Sequence, residues 1–132
     1  MLIRKEFTFD AAHNLTQYHG KCERLHGHTY RVAVVVKGLL DKDSMVFDFC
    51  ELSSIVGERV LSVLDHSYIN ELIPQPTAEN IAIWIWRQLE QAVLRDNCAL
   101  EVVEVWETAS CCAVLYSEDM KSWGRSHARC SI

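Results

Sequence analysis

Histidine and cysteine side chains cluster in one short stretch of this sequence, which reads Cys22-Glu-Arg-Leu-His26-Gly-His28. Residues two apart on an extended strand project to the same side, so His26 and His28 can present both imidazoles to one point. Imidazole nitrogens are ordinary ligands of zinc. Three imidazoles around an open fourth position are typical of a catalytic zinc ion, so a third histidine would complete such a site.

His13 is the candidate for this third ligand. Apolar residues alternate through Phe7-Thr-Phe-Asp-Ala-Ala-His13, which predicts a strand whose end carries the histidine. The segment from His28 to Lys37 is rich in β-branched and aromatic residues and predicts a second strand. Antiparallel pairing of these strands would bring His13 close to the other two histidines. The sequence therefore favours a metal site over three unrelated polar residues.

Cys22 precedes His26 by four residues and has two possible roles. Its thiolate could be a fourth ligand, which would close the shell and make the zinc ion structural. It could instead stand beside the metal, where the positive charge favours the thiolate and makes it a general base. The sequence leaves both roles open.

Several residues outside this cluster are further candidates. In Asp65-His66 a carboxylate adjoins an imidazole and could orient a proton-transfer group, although a histidine that binds carbonyl groups at a helix end has the same pattern. Glu107 ends a predicted strand and could accept the paired N–H donors of a pterin or guanine, or could simply be solvated. Thr77 and Glu79 open a predicted helix, which explains both residues, but both could also reach a ligand.

The remaining patterns predict the elements that hold these residues. Two amphipathic helices follow the first two strands, and each begins with a residue that can cap it, Asp48 or Thr77. Because the connections are local, we expect an α+β domain of order ββααββ, with a four-stranded antiparallel sheet and two helices on one face. The predicted bounds are 7–13 and 28–37 for the first strands, 48 to near 65–66 and 77 to near 96–97 for the helices, and 99–108 and 112–116 for the last strands.

Bulk composition limits the classes of function. The chain has 132 residues, of which 49% are hydrophobic, so we expect one domain over residues 1–118 and an irregular C-terminal tail over 119–132. The formal net charge is -5 and no lysine or arginine run could neutralise several phosphates, which argues against a nucleic-acid partner. No segment is apolar enough for a signal sequence or a membrane span, which predicts a cytoplasmic protein with reduced cysteines.

Six motifs in a fixed order resemble the family of 6-pyruvoyltetrahydropterin synthases and 6-carboxytetrahydropterin synthases. The resemblance covers about residues 3–118. An ordered set of motifs is far more specific than any one of them. The motifs are Phe9-Asp-Ala-Ala-His13, Cys22-Glu-Arg-Leu-His26-Gly-His28, Asp48-Phe49, Leu64-Asp65-His66, Pro76-Thr-Ala-Glu-Asn80 and Glu107-Thr108.

The resemblance implies the tunnelling fold (T-fold), in which two trimeric barrels stack into a homo-hexamer with active sites between subunits. It also implies one Zn²⁺ per subunit and a pterin triphosphate as the small-molecule substrate. The residues that match the family's pattern are His13, His26 and His28 as zinc ligands, Cys22 as catalytic base, Asp65 and His66 as proton relay, and Glu107 as anchor of the pterin ring.

The implied activity is that of a zinc-dependent lyase acting on 7,8-dihydroneopterin triphosphate. The short spacing from Cys22 to His26 resembles bacterial 6-carboxytetrahydropterin synthases, which implies release of acetaldehyde and triphosphate in queuosine precursor synthesis. A 6-pyruvoyltetrahydropterin synthase is one alternative. Glu23 also resembles relatives that form 6-hydroxymethyl-dihydropterin for folate, although Arg24 departs from their Ser, Thr or Asn. An alternative of another class is a noncatalytic pterin- or purine-binding protein with structural zinc.

Overall fold

The computed structural model of the protein describes residues 1–16, 20 and 23–128, with side chains as far as residue 123. Its elements follow the predicted order of two strands, two helical stretches and two strands, with a short strand and a 3-10 turn added between the helical stretches and a helix added at the end. The elements are β1 (Leu2–His13), β2 (His26–Gly38), α1 (Phe49–Val56), a π-helical turn (Gly57–Leu61), α2 (Ser62–Leu64), β3 (Ser67–Tyr68), a 3-10 turn (Ile69–Glu71), α3 (Ala78–Leu89), β4 (Cys98–Thr108), β5 (Cys111–Tyr116) and α4 (Ser117–Ala128).

The strands form one sheet in the order β3-β1-β2-β4-β5. All neighbours are antiparallel except β3, which runs parallel to β1 and pairs Ser67 with Ala11 and Tyr68 with Ala12. The predicted α+β class is confirmed, whereas the predicted four strands become five. A strand of two residues is too short to show any periodicity in the sequence, so pattern reasoning missed β3.

Burial along the strands follows their place in the sheet. β1 alternates, with Phe9, Ala11 and His13 buried and the residues between them more exposed. In β2 the run Val32–Val36 is buried throughout, and its alternate residues Val32, Val34 and Val36 belong to the hydrophobic core. β2 is therefore the centre of the core against which the other elements pack.

The helices begin at the predicted residues. The Asp48 side chain accepts hydrogen bonds from the backbone N–H groups of Cys50 and Glu51, and the Thr77 hydroxyl accepts one from Asn80. Both side chains thus satisfy donors that have no partner within the helix. α1 continues through the π-helical turn into α2, so the first helical stretch ends at Leu64, close to the predicted bound.

The second helix is shorter than predicted. α3 ends at Leu89 rather than near residues 96–97. A tight reversal follows, in which Arg95 and Cys98 exchange both backbone hydrogen bonds, at 3.0 and 3.3 Å. This reversal turns the chain back into β4 before the predicted end of the helix.

One face of the sheet carries the hydrophobic core. Buried residues of both helical stretches pack there against the inward side chains of the strands. The helix residues of this cluster are Leu52, Val56, Val60, Leu64, Ile81, Ala82, Ile85, Trp86 and Leu89, and the strand residues include Phe9, Tyr30, Val32, Val34, Val36, Val103 and Val105. The helices thus cover one face of the sheet.

The segment after β5 forms the helix α4, where the sequence predicts an irregular tail. The Asp119 carboxylate accepts the backbone N–H of Tyr116 at 2.9 Å, which stabilises the start of the helix. The Arg87 guanidinium stacks 4.8 Å from the Trp123 ring centroid and links α3 to α4. Among the helices in the described part of the chain, none is both long and apolar enough to cross a membrane.

Two glycines give a matched test of the fold. A Cβ at Gly38 would collide with the carbonyl oxygen of Asn97 and lie 2.6 Å from the Cβ of Cys98, whereas a Cβ at Gly57 would meet nothing within 4 Å. We expect Gly38→Ala to lower the free energy of unfolding by about 1–3 kcal/mol through overpacking. Gly57→Ala should raise it by about 0.5–1 kcal/mol because alanine favours the helix. Urea unfolding of both variants checks the two signs.

Candidate metal centre

The pairing of β1 with β2 brings the three histidines together. His13 lies opposite His26, and Ala11 lies opposite His28. Side chains that are directly opposite across a sheet share a face, so all three imidazoles project from the core face at one end of the sheet. The ring centroids lie 4.6, 4.7 and 5.1 Å apart. The fold therefore places the three histidines close together, as the sequence predicts.

One nitrogen of each imidazole faces a common point. A set of possible ligand atoms, one from each of His13, His26 and His28, lies within 4.8 Å of one another. The Nε2 atoms of His13 and His26 are 3.0 Å apart. Nitrogens bound at about 2.0–2.1 Å to one tetrahedral zinc ion lie about 3.3 Å apart. The donor set and its spacing fit a zinc ion.

Hydrogen bonds to backbone carbonyls fix the other ring nitrogens. His13 Nδ1 lies 2.7 Å from the carbonyl oxygen of Pro76, and His26 Nδ1 lies 2.7 Å from that of Arg24. A carbonyl oxygen can only accept, so both Nδ1 atoms carry the proton. In neutral rings, both Nε2 atoms then hold lone pairs that face each other. A cation between them would turn this repulsion into two bonds, and carbonyl groups commonly orient metal-binding histidines in this way.

His28 completes the set from the third side. Its Nε2 atom is buried and has no hydrogen-bond partner among the described residues. Burial lowers the pKa of His28, Glu107 opposes this shift, and the charges of His13 and His26 add to it. The neutral form, which is the form that binds metals, is thereby favoured.

A carboxylate and a phenol border the three imidazoles. Glu107 Oε1 lies 3.4 Å from His13 Nε2 and 3.9 Å from His28 Nε2, so the fold brings this predicted residue to the metal centre. Tyr30 is fully buried beside them, with its ring centroid 5.4 Å from that of His28 and its hydroxyl unpartnered within the described chain. Burial and the nearby Glu107 raise the pKa of Tyr30, so the phenol is neutral.

Asp65 and His66 form a second cluster, around Asp10. The backbone N–H of Asp10 donates to Asp65 Oδ1 at 3.0 Å, and the backbone N–H of His66 donates to the carbonyl oxygen of Asp10 at 2.6 Å. His66 Nδ1 lies 3.1 Å from Asp65 Oδ2. Because Asp10 alternates with the inward residues of β1, its side chain lies on the opposite face of the sheet from His13. One chain thus holds the two clusters on different faces.

The second cluster is exposed and locally strained. The His66 side chain is 79% exposed, and its backbone φ of 58° lies in the left-handed region that residues with a Cβ rarely adopt. The backbone N–H of Asp10 is the main cause that lowers the pKa of Asp65, and the hydrogen bond to His66 lowers it further. The Thr29 hydroxyl in turn donates to the Asp10 carboxylate across the strand pair.

Three other predicted residues, Thr77, Glu79 and Glu23, lie in the described part of the chain. Thr77 caps α3, and Glu79 lies exposed in its first turn. Glu23 is exposed in the turn before β2, where its backbone N–H donates to the carbonyl oxygen of Gly20 at 3.1 Å. Cys22 lies outside the described residues. The functional roles of all four residues stay predictions.

Sequence reasoning missed three contributors to these clusters. Asp10 sits within a recognised motif but reads there as a spacer, and only the strand register shows that it supports Asp65 and His66. For Tyr30 the sequence pattern predicts only a buried strand residue. The role of the Pro76 carbonyl group cannot be recognised from residue type, because every residue has such a group. The position of Pro76 in the motif Pro76-Thr-Ala-Glu-Asn80 is the one signal that could have indicated it.

Residues 2–118 match the family model of 6-pyruvoyl tetrahydropterin synthase. A 6-carboxy-5,6,7,8-tetrahydropterin synthase of Synechocystis sp. is 41% identical over 116 residues, which cover 83% of this chain and 90% of the relative. A dihydroneopterin monophosphate aldolase of Pyrococcus furiosus is 38% identical over 100 residues, covering 76% of this chain and 83% of the relative. The solved structure of Caenorhabditis elegans 6-pyruvoyl tetrahydropterin synthase matches with a TM-score of 0.76 at 24% identity, covering 89% of this chain and 95% of that one. The predicted T-fold is confirmed.

The lowered pKa of Asp65 predicts how acid affects the fold. Because native contacts favour the carboxylate, Asp65 contributes to stability above its unfolded pKa of about 3.9, and this contribution is lost as the pH falls through the lower folded-state pKa. Urea unfolding of Asp65→Asn between about pH 5 and pH 2 should therefore show a shallower loss of stability than the unsubstituted protein. The surface variant Asp96→Asn is the control. Identical acid slopes for Asp65→Asn and the unsubstituted protein would contradict the prediction.

Proposed function

This chain belongs to the 6-pyruvoyl tetrahydropterin synthase family, and from that premise we propose that it is a zinc-dependent lyase of the 6-carboxytetrahydropterin synthase type. Its substrate is 7,8-dihydroneopterin triphosphate. Its products are 6-carboxy-5,6,7,8-tetrahydropterin, acetaldehyde and triphosphate, within queuosine precursor synthesis. The coarser assignment, a tetrahydropterin synthase, follows from the family itself.

The observation that carries this proposal is the convergence of the histidines. The Nε2 atoms of His13 and His26 face each other at 3.0 Å while carbonyl groups hold both Nδ1 atoms. His28 adds a buried nitrogen without a partner in the described chain. Three neutral imidazoles are the donor set of a catalytic zinc site that keeps an open position.

The proposed chemistry divides among a few groups. The three histidines would hold a zinc ion, which would supply Lewis acidity to the side-chain hydroxyls of the substrate. Cys22, as thiolate, removes a proton from the substrate side chain as general base. His66, oriented by the Asp65 carboxylate, returns or relays the proton. Glu107 accepts hydrogen bonds from the pterin ring, and Thr77 and Glu79 are candidates for further substrate contacts.

We extend the proposal to an assembly of six subunits, two stacked trimers, with one zinc ion in each subunit. His66 is 79% exposed and lies with Asp10 on the face opposite to His13. We infer from these positions that the two clusters of a single chain serve different active sites. Active sites between subunits would join the metal centre of one chain to the relay pair of another. The end strand β5 offers an edge for such contacts, because within the described chain it pairs only with β4.

The product is supported by the Synechocystis relative, which is a 6-carboxy-5,6,7,8-tetrahydropterin synthase at 41% identity. A second candidate, formation of 6-hydroxymethyl-dihydropterin with Glu23 as acid or base, is favoured by the 38% identity with a dihydroneopterin monophosphate aldolase. Arg24 departs from the sequence pattern expected for that second reaction. The three-histidine site is also compatible with a 6-pyruvoyltetrahydropterin synthase and with a noncatalytic pterin- or purine-binding protein that holds structural zinc.

The role of Cys22 can be separated from metal binding. If the thiolate is the base, Cys22→Ala should keep one zinc ion per chain and lose at least about 10²-fold in turnover, which is the scale of general-base catalysis. Metal analysis and an assay of triphosphate release measure the two properties. Cys50→Ala, an exposed cysteine in α1, is the matched control and should keep both. Loss of zinc from Cys22→Ala would make the cysteine a ligand and overturn the mechanism.

The reaction products distinguish the remaining activities. Incubation of the zinc-loaded protein with 7,8-dihydroneopterin triphosphate, followed by mass spectrometry, should give 6-carboxytetrahydropterin with acetaldehyde and triphosphate. We expect Glu23→Gln to keep this activity within about threefold, since the proposed base is Cys22. A 6-hydroxymethyl product that disappears in Glu23→Gln would favour the second candidate. Binding without any released triphosphate or aldehyde would favour a noncatalytic protein.

A further inference from the structure

The segment from Gln75 to Asn80 leads into the first turn of α3 and is here called the 75–80 loop. It contacts the candidate metal centre through one backbone atom. The carbonyl oxygen of Pro76 accepts a hydrogen bond from His13 Nδ1 at 2.7 Å. His13 is only 1% exposed, so water does not substitute for this partner. The position of a single peptide group therefore determines which nitrogen of His13 carries the proton.

Side-chain amides on both sides of Pro76 hold that peptide group in place. Asn80 Nδ2 donates to the carbonyl oxygen of Gln75 at 2.8 Å, which closes the loop onto the first turn of α3. Gln75 Oε1 accepts from the backbone N–H of Thr16 at 3.0 Å and from the Thr16 hydroxyl at 3.2 Å. The loop is thus tied to α3 at one end and to the chain just beyond β1 at the other.

The side chain of Asn80 has no share in the helix cap. The Thr77 hydroxyl accepts the backbone N–H of Asn80, at 3.1 Å, and this bond does not involve the amide group. The amide instead spans back to Gln75, the residue before Pro76. Capping of α3 and closure of the loop are therefore separable by mutation of one side chain.

We propose that Asn80 is a positioning residue of the metal centre, which acts on His13 through the 75–80 loop rather than by touching metal or substrate. This inference rests on the proposed function to the extent that the three histidines bind a metal ion. The Gln75 carbonyl oxygen also accepts the backbone N–H of Thr77 at 2.9 Å, so the Asn80 amide is one of two donors that fix it. Without this amide the Gln75–Pro76 peptide groups are held less firmly, the Pro76 carbonyl shifts relative to His13 Nδ1, and the Nε2 lone pair is less well directed toward the metal. Asn80, the last residue of the motif Pro76-Thr-Ala-Glu-Asn80, thereby has the role of positioning His13.

The substitution Asn80→Asp isolates this role. Aspartate has the same shape, but a carboxylate oxygen replaces the donor and repels the Gln75 carbonyl. The backbone cap to Thr77 remains, and an acidic residue in the first turn is favourable to the helix dipole, so α3 keeps its stability. A merely structural role of Asn80 would change folding and metal affinity together, whereas a positioning role changes the affinity alone.

Two readouts on the full chain test the proposal. Competition with a chelator gives the Kd for Co²⁺, and thermal unfolding of the metal-free protein gives Tm. We expect Asn80→Asp to raise the Kd for Co²⁺ about tenfold, at the lower end of outer-shell effects, with Tm unchanged. An unchanged Kd, or a raised Kd accompanied by a matching fall in Tm, would overturn the role of Asn80.

Asn97→Asp is the matched control. Asn97 Nδ2 donates to the carbonyl oxygens of Leu39 and Val46, at 2.8 and 3.0 Å, at the other end of β2. The same substitution there should lower Tm and leave the Kd for Co²⁺ unchanged. If Asn97→Asp raised the Kd as much as Asn80→Asp, the effect would be general loosening and the proposal would fail. Failure of the unsubstituted protein to bind Co²⁺ would instead overturn the metal centre of the proposed function itself.

Discussion

The register between β1 and β2 is the constraint on which the metal centre depends. It places His13 opposite His26 and Ala11 opposite His28. A slip of one residue would turn every inward side chain of β1 to the other face and separate His13 from its partners. The alternation of β1 opposes such a slip, because Phe9 and Ala11 are buried in the core whereas Thr8 and Asp10 are exposed. Packing far from the histidines therefore determines their geometry.

How far the sequence predicts the site depends on the range of the interactions. The histidine cluster follows from alternation on two neighbouring strands, a local pattern that residue types record. The place of Asp65 and His66 depends on the two-residue strand β3 and on backbone groups of Asp10, which no side-chain pattern encodes. The same holds for Pro76, whose carbonyl group would be available whatever its side chain. The convergence of the three histidines was therefore predictable, whereas the backbone groups that support them and Asp65-His66 were not.

The candidate metal centre lowers the stability of the fold, and the core must offset this loss. His28 Nε2 and the Tyr30 hydroxyl are buried without hydrogen-bond partners in the described chain. Each such group costs about 1–3 kcal/mol. The cost falls at the end of a core in which valine, leucine and isoleucine side chains from two helical stretches pack on β2. Buried polar atoms without a hydrogen-bond partner are expected at a ligand site next to a well-packed core. There the ligand, and not the fold, supplies the missing partner.

The dipeptide Asp65-His66 is the reverse case, since it is exposed and yet held in a strained conformation. The φ of 58° at His66 costs on the order of 1–3 kcal/mol, and little packing surrounds a side chain that is 79% exposed. Two backbone groups of Asp10 hold the dipeptide Asp65-His66 in this shape. In the described part of the chain, such exposure leaves few contacts around His66 to offset the strain. The arrangement is explained if His66 contacts a neighbouring subunit, because the strained backbone then positions its side chain for a contact outside its own chain.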